Sequence, residues 1–160
     1  MLWDYNQSLG IYHCPTDRST LTDPGGVSGD LRARSYNMSQ SVNGYPEYEP
    51  YLYTNLPCFK KLTEMQAPLS ANCFVFIDEN EYILLDAQFG MSPGYWNWSP
   101  TWWDMPADRH FQGANLSFAD GHAEHWRWFY PKQFRSWVGT VAPKEMDDYM
   151  RLRGAMKQAS

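Results

Sequence analysis

RHFQGANLSFADGHAEHWRW, residues 109–128, decides how this chain is read. It sets three histidines, two acids, two arginines and two tryptophans around one Asp-Gly pair. A metal site, an acid/base site and a plain β-hairpin all fit that inventory. Alternation of apolar and polar residues favours the hairpin. Asp-Gly between two alternating runs is the usual two-residue turn, in which both central residues take positive φ. That register pairs Ala119 with His122, Phe118 with Ala123 and Leu116 with His125. It sends Leu116, Phe118 and Ala123 to the core, and Ser117, Glu124 and Trp126 to the other side. His122 and Glu124 share a face while His125 lies opposite, so the spacing does not gather both histidines on one metal.

Outward from the hairpin, the chain has 160 residues, enough for one domain with a proper core, and residues 1–160 are read as a single unit. A net charge of −5 argues against a nucleic-acid partner, because a phosphate binder needs a basic face. Aromatic residues make up 17%, a large share that suits a compact core, a partner surface or a sugar-stacking platform. Eleven glycines and eleven prolines predict many turns and few long helices. There is no run of about 18 apolar residues to span a membrane, and the first residues, MLWDYNQS, lack the pattern of a signal peptide. Cys14, Cys58 and Cys73 show no zinc-type spacing and leave one thiol over in any intramolecular pairing.

Along the chain, residues 2–9 read as helical turns ended by Gly10, and 11–14 as a short strand. Residues 15–30 are a polar loop without the calcium-loop spacing of acids. Residues 34–42 alternate as a strand with Tyr36, Met38 and Gln40 on one face. CFVFID, 73–78, is the clearest core strand, and 81–89 continues in strand-like fashion. Residues 43–58 and 90–109 are long aromatic loops. Residues 131–139 read as a helix opened by proline and closed by glycine. Residues 142–157 read as a second helix, with acids first and bases last and with Met146, Tyr149, Met150 and Arg153 inward. The fold class is α+β: a small antiparallel sheet, long aromatic loops and short flanking helices.

Four blocks carry a resemblance to a known group. IYHCPTD (11–17), RSYNMSQSVNG (34–44), FVFIDENE (74–81) and DRHFQGANLSFADGHAEHW (108–126) resemble, in order and approximate spacing, segments of bacterial prepilin-type proteins with the His-x9-Asp-Gly signature. These are type II secretion pseudopilins and type IV pilus-like proteins, and His110, Asp120 and Gly121 are the signature positions. The likeness extends from Leu2 to about residue 155. It implies a pseudopilin-like globular head and a non-catalytic structural role in a filament. Members of the group begin with a basic leader and a long apolar helix, and no such segment stands before Leu2. A head lacking its helix is expected to be a soluble monomer. The full-length form is expected at the periplasm or cell surface, in contact with other pilin or pseudopilin subunits and the secretion machinery.

The resemblance also implies an oxidising compartment, in which a Cys14–Cys58 disulfide would persist with Cys73 buried and free. No cofactor is expected, with calcium the ion to consider, since major pseudopilins hold calcium in a C-terminal loop. His110, Asp120, Glu79 and Asp78 are the residues that a metal would use, although histidine suits calcium poorly. The alternative for His110 is a hydrogen bond that locks the start of the hairpin. Trp96, Trp98, Trp102 and Trp103 are the candidate binding surface. A carbohydrate- or protein-binding module using those rings is the rival function, and a metal-dependent enzyme using His110, Asp120 and Glu79 is a second.

Overall fold

The computed structural model describes residues 3–23, 26–44, 51, 56–84, 86–92, 100–133 and 139–158. The architecture is α+β, mostly strands with a few short helices. A short α1 (Trp3–Asn6) leads into a hairpin of β1 (Thr20–Asp23) and β2 (Gly26–Leu31). The central sheet is built from β3 (Tyr36–Ser39), β4 (Phe74–Asp78), β5 (Gln88–Phe89), β7 (Gly113–Phe118) and β8 (Ala123–Arg127). Its order is β5-β3-β4-β7-β8, antiparallel except for the parallel β3–β5 pair. A separate two-stranded ladder joins β6 (Thr101–Trp102) to β9 (Gly139–Thr140). The chain closes with α2 (Met146–Gly154). Among the described residues no helix is long and apolar enough to cross a membrane.

CFVFID forms β4 because two of its residues can be buried on one face without strict alternation. A bulge between Phe74 and Phe76 lets Phe74 and Ile77 both turn to the core, three positions apart. Ile77, Leu116, Ala114 and Trp126 then share the face that packs with Tyr149 and Leu152 of α2. Asp147 and Asp148 stand in the first turn of α2 and Arg151 and Arg153 in its last, matching the helix dipole. Asp148 also accepts hydrogen bonds from the Phe129 and Tyr130 amides and from the buried Lys132 ammonium at 2.6 Å. The inner residues are Asp148, Tyr149 and Leu152. Met150 and Arg153, expected inside, do not join the buried set; Met150 is half exposed.

The hairpin forms, but its turn differs from the expected one by a residue. Gly121 N–H donates to Phe118 O at 3.0 Å and Phe118 N–H to His122 O at 2.9 Å, so the loop is Ala119-Asp120-Gly121. Gly121 is the left-handed residue, at φ 98°. The pairs are Leu116 with Glu124 and Ala114 with Trp126. The one-residue shift exchanges the faces of β8. Trp126 is therefore a core residue, under the guanidinium of Arg151 at 3.9 Å, and Ala123 is exposed.

Other expectations are corrected as well. Residues 9–12 form a 3-10 turn rather than a strand. In β3 the buried side chains are Asn37 and Ser39, while Tyr36 and Met38 are half-buried on the opposite face. Gln40 is buried beyond the strand, exchanging hydrogen bonds with the Met91 backbone. Among the described residues of 81–89 only Gln88–Phe89 is a strand, and Ile83 and Leu84 are buried at the end of a turn. Residues 131–133 are not helical and Gly139 starts β9; positions 134–138 lie outside the described residues.

Candidate functional site

Cys14, Asp78 and His110 converge at one end of the central sheet. Asp78 is the last residue of β4, on the face opposite Ile77, and is fully buried. Residues 105–107 run back along the strand end, with Asn80 N–H to Met105 O at 2.9 Å and Ala107 N–H to Asp78 O at 2.8 Å. That return carries Arg109 and His110 over Asp78. Cys14 arrives from the N-terminal loop, anchored by its N–H to Ser35 Oγ at 3.1 Å.

The contacts form one continuous network. His110 Nε2 lies 2.7 Å from Asp78 Oδ2 and 3.3 Å from Cys14 Sγ. Arg109 pairs with Asp78 Oδ1, with Glu81 at 3.1 Å and with Asp17 at 3.6 Å, and donates to Glu79 O at 2.8 Å. Asp17 in turn accepts from Ser35 Oγ at 2.6 Å and Ser19 N at 2.9 Å. Burial raises the Asp78 carboxyl above its ordinary range, against the pull of Arg109 and His110. Burial acts on Asp17 in the same sense, but hydrogen bonds from Ser35 and Ser19 and the charge of Arg109 bring it below the usual value. Burial and the neighbouring Cys14 thiol keep the Tyr36 hydroxyl protonated.

The backbone beside His110 is strained. Phe111 and Gln112 both take left-handed conformations, at φ 49° and 60°. Gln112 holds the bend through its side-chain amide to Trp128 O and its own carbonyl to Trp128 N–H, each at 2.8 Å. His125 Nε2 meets the His110 carbonyl oxygen at 2.7 Å. These contacts hold the backbone at and after His110 in place.

The sequence-based set is divided by the fold. His110 and Asp78 meet; Asp120 and Glu79 do not join them. Asp120 belongs to the hairpin turn, where it pairs with His122 Nδ1 and accepts the His122 amide at 3.2 Å. His122 stacks flat on Phe118 with ring centres 4.4 Å apart, and the bond to Asp120 raises its imidazole above the ordinary value. Glu79 follows Asp78 in the chain and is fully buried. Neither of its carboxyl oxygens finds a hydrogen-bond donor among the described residues. Burial, with Asp104 and Asp86 nearby, pushes Glu79 well above the normal carboxylate range.

Cys14 is the site residue that the reading of spacing missed. It was expected in a disulfide with Cys58, and that bridge is not formed: Cys14, Cys58 and Cys73 are free thiols. Cys73 is buried, as expected, and burial raises it to about 11. The signal that placed Cys14 was present in the Cys-Pro-Thr-Asp block, whose Asp17 shares Arg109 with Asp78.

The tryptophan platform is corrected in part. Trp102 is buried in the core, edge-on to Tyr149 at 5.0 Å, and cannot stack on a ligand. Trp103 is half-buried, and Trp96 and Trp98 lie outside the described residues. Calcium takes six to eight oxygen ligands. A thiol, an imidazole and one carboxylate do not fit it; they fit a borderline-soft transition metal. Comparison with known proteins found no matching family model, no matching curated protein and no matching solved structure.

Proposed function

We propose that this chain is the head of a prepilin-type, pseudopilin-like subunit, a non-catalytic building block of a secretion or pilus-like filament. In its full-length form it is held at the periplasmic or cell surface by an N-terminal helix, and it meets other subunits and the secretion machinery there.

One observation supports this reading above the others. The four blocks that carry the resemblance meet in a single network: Cys14 and Asp17, Ser35, Asp78 and Glu79, Arg109 and His110. On one side the network borders an open cavity lined by Thr16, Asp17, Glu81 and Arg109, while its polar atoms turn toward one another. Here Asp78, Cys14 and Asp17 are 0%, 1% and 2% exposed. Their arrangement clasps distant segments of chain together, which suits a scaffold subunit. The sheet also keeps an open groove lined by Tyr36, Phe76, Asn115, Ser117 and Ala123, ground on which another element can pack.

The experiment is coexpression of the full-length gene product with a prepilin peptidase, followed by N-terminal sequencing and fractionation. The expected result is cleavage after a leader glycine and retention in the membrane fraction. An uncleaved protein in the soluble fraction overturns the reading.

A further inference from the structure

We propose that Cys14, Asp78 and His110 form a zinc site. The inference does not depend on the filament reading and concerns the chemistry of the three side chains alone.

Each of the three offers one ligand atom: a thiol sulfur, a carboxylate oxygen and a ring nitrogen lie within 4.8 Å of one another. A single nitrogen, His110 Nε2, faces both the carboxylate and the thiol. One ring nitrogen has one proton or one lone pair. As a donor to Asp78 it has no second proton for Cys14; as an acceptor from Cys14 it has nothing for Asp78. An ion seated between the three atoms serves all of them at once. Zinc accepts sulfur, nitrogen and oxygen in tetrahedral sites at about 2.0–2.3 Å, which separates ligand atoms by roughly 3.3–3.6 Å. Sγ and Nε2 already stand 3.3 Å apart, and Asp78 Oδ2 needs to retreat from its 2.7 Å contact by roughly half an ångström.

The surroundings suit the ion. Arg109 occupies Oδ1 of Asp78 and leaves Oδ2 for the metal, the second-shell support that ligating carboxylates usually have. Asp17, Asp78 and Glu81 set three carboxylates against that one guanidinium, so the cluster holds two surplus negative charges for a dication to offset. Cys14 and Asp78 are buried, while His110 keeps 20% of its side chain exposed, the side by which ion and water enter. Water completes the fourth position, or the Thr16 hydroxyl, which already touches Cys14 Sγ at 3.1 Å. On binding, Cys14 gives up its thiol proton to solvent and Nε2 offers its lone pair.

The test uses the whole purified chain with cobalt(II) as the spectroscopic stand-in for zinc. One equivalent of cobalt is expected to give thiolate-to-metal charge-transfer absorption, abolished by one equivalent of zinc. Cys14→Ser is expected to remove that band, and His110→Gln to weaken binding at least about 100-fold. Cys58→Ser keeps both. X-ray absorption of the zinc-loaded wild type, which needs no variant to fold, is expected to show one sulfur near 2.3 Å with lighter ligands near 2.0 Å. Absence of the band in the folded wild type, its survival in Cys14→Ser, or a sulfur-free zinc shell overturns the proposal.

Discussion

At Arg109 one guanidinium faces Asp78, Glu81 and Asp17, and only 13% of its side chain reaches solvent. The planar fork is what makes this possible, since a lysine offers one point of charge where Arg109 offers several directed donors. Replacing it leaves Asp78 buried with an unbalanced charge, the costly way to break an ion pair. Arg109→Met is expected to destabilise the fold by about 3–5 kcal/mol in urea unfolding. The pairing of Arg109 with Asp78 joins two of the blocks that carry the resemblance, 74–81 and 108–126. The meeting of His110 with Cys14 was not visible in the sequence, because 96 positions separate them and only the sheet order brings them together. Asp120 drew attention as the partner of His110 through their fixed spacing. Its real role is local: an aspartate at a turn hydrogen-bonds the amide two residues on.

At the scale of elements, the hairpin shows how a correct element can carry a wrong register. A type I turn followed by a left-handed glycine needs one positive φ, whereas the two-residue turn needs two, and Asp120 is spared that strain here. Nothing in the alternation of 113–127 distinguishes the two loops, yet the choice decides whether Trp126 faces core or solvent. Gly121 has open space around its missing Cβ, so Gly121→Ala tests backbone strain alone and is expected to cost about 1 kcal/mol. Gly113→Ala is a steric test: a Cβ there would sit 2.4 Å from Trp126 O, in the paired strand. It is expected to destabilise by more than Gly121→Ala, and equal effects in thermal denaturation would contradict the register. The core strand was legible as a short apolar run ended by charge, the hairpin by alternation around Asp-Gly, and the last helix by its acids first and bases last. Residues 81–89 were not, since Ile83 and Leu84 are buried at the end of a turn that no ladder partners.

Across the whole molecule, the acids Glu79 and Asp104 set a pH dependence. Glu79 is raised well above its ordinary value, and burial brings Asp104 from 3.8 to about 7. Between those values the folded state holds a proton on Asp104 that the unfolded chain has released. Stability therefore falls as pH rises from about 4 through 7, then levels for Asp104 above that. Asp104→Asn retains an oxygen for the Gly90 amide and is expected to flatten this slope and raise the melting temperature at pH 8. An unchanged slope across this range would remove Asp104 as its source. None of this was legible from sequence, because both acids acquire their shifts from burial first and then from a neighbouring carboxylate, Asp86.

The network around Asp78 has a consequence for the order of folding. Its contacts tie residues 14–17 to 35, 78 and 109–110, and they form only when β3, β4 and the return through 105–107 are in place. Closing loops of that length is slow, and contacts of high sequence separation are made late. The clasp is therefore expected to set as a latch after the sheet has condensed, outside the rate-limiting barrier. Arg109→Met is accordingly expected to leave the refolding arm of a chevron plot nearly unmoved and to accelerate the unfolding arm. The motifs that most mark this chain would then govern how long the native state lasts once made, leaving the speed of its formation to the hairpin and the core strand.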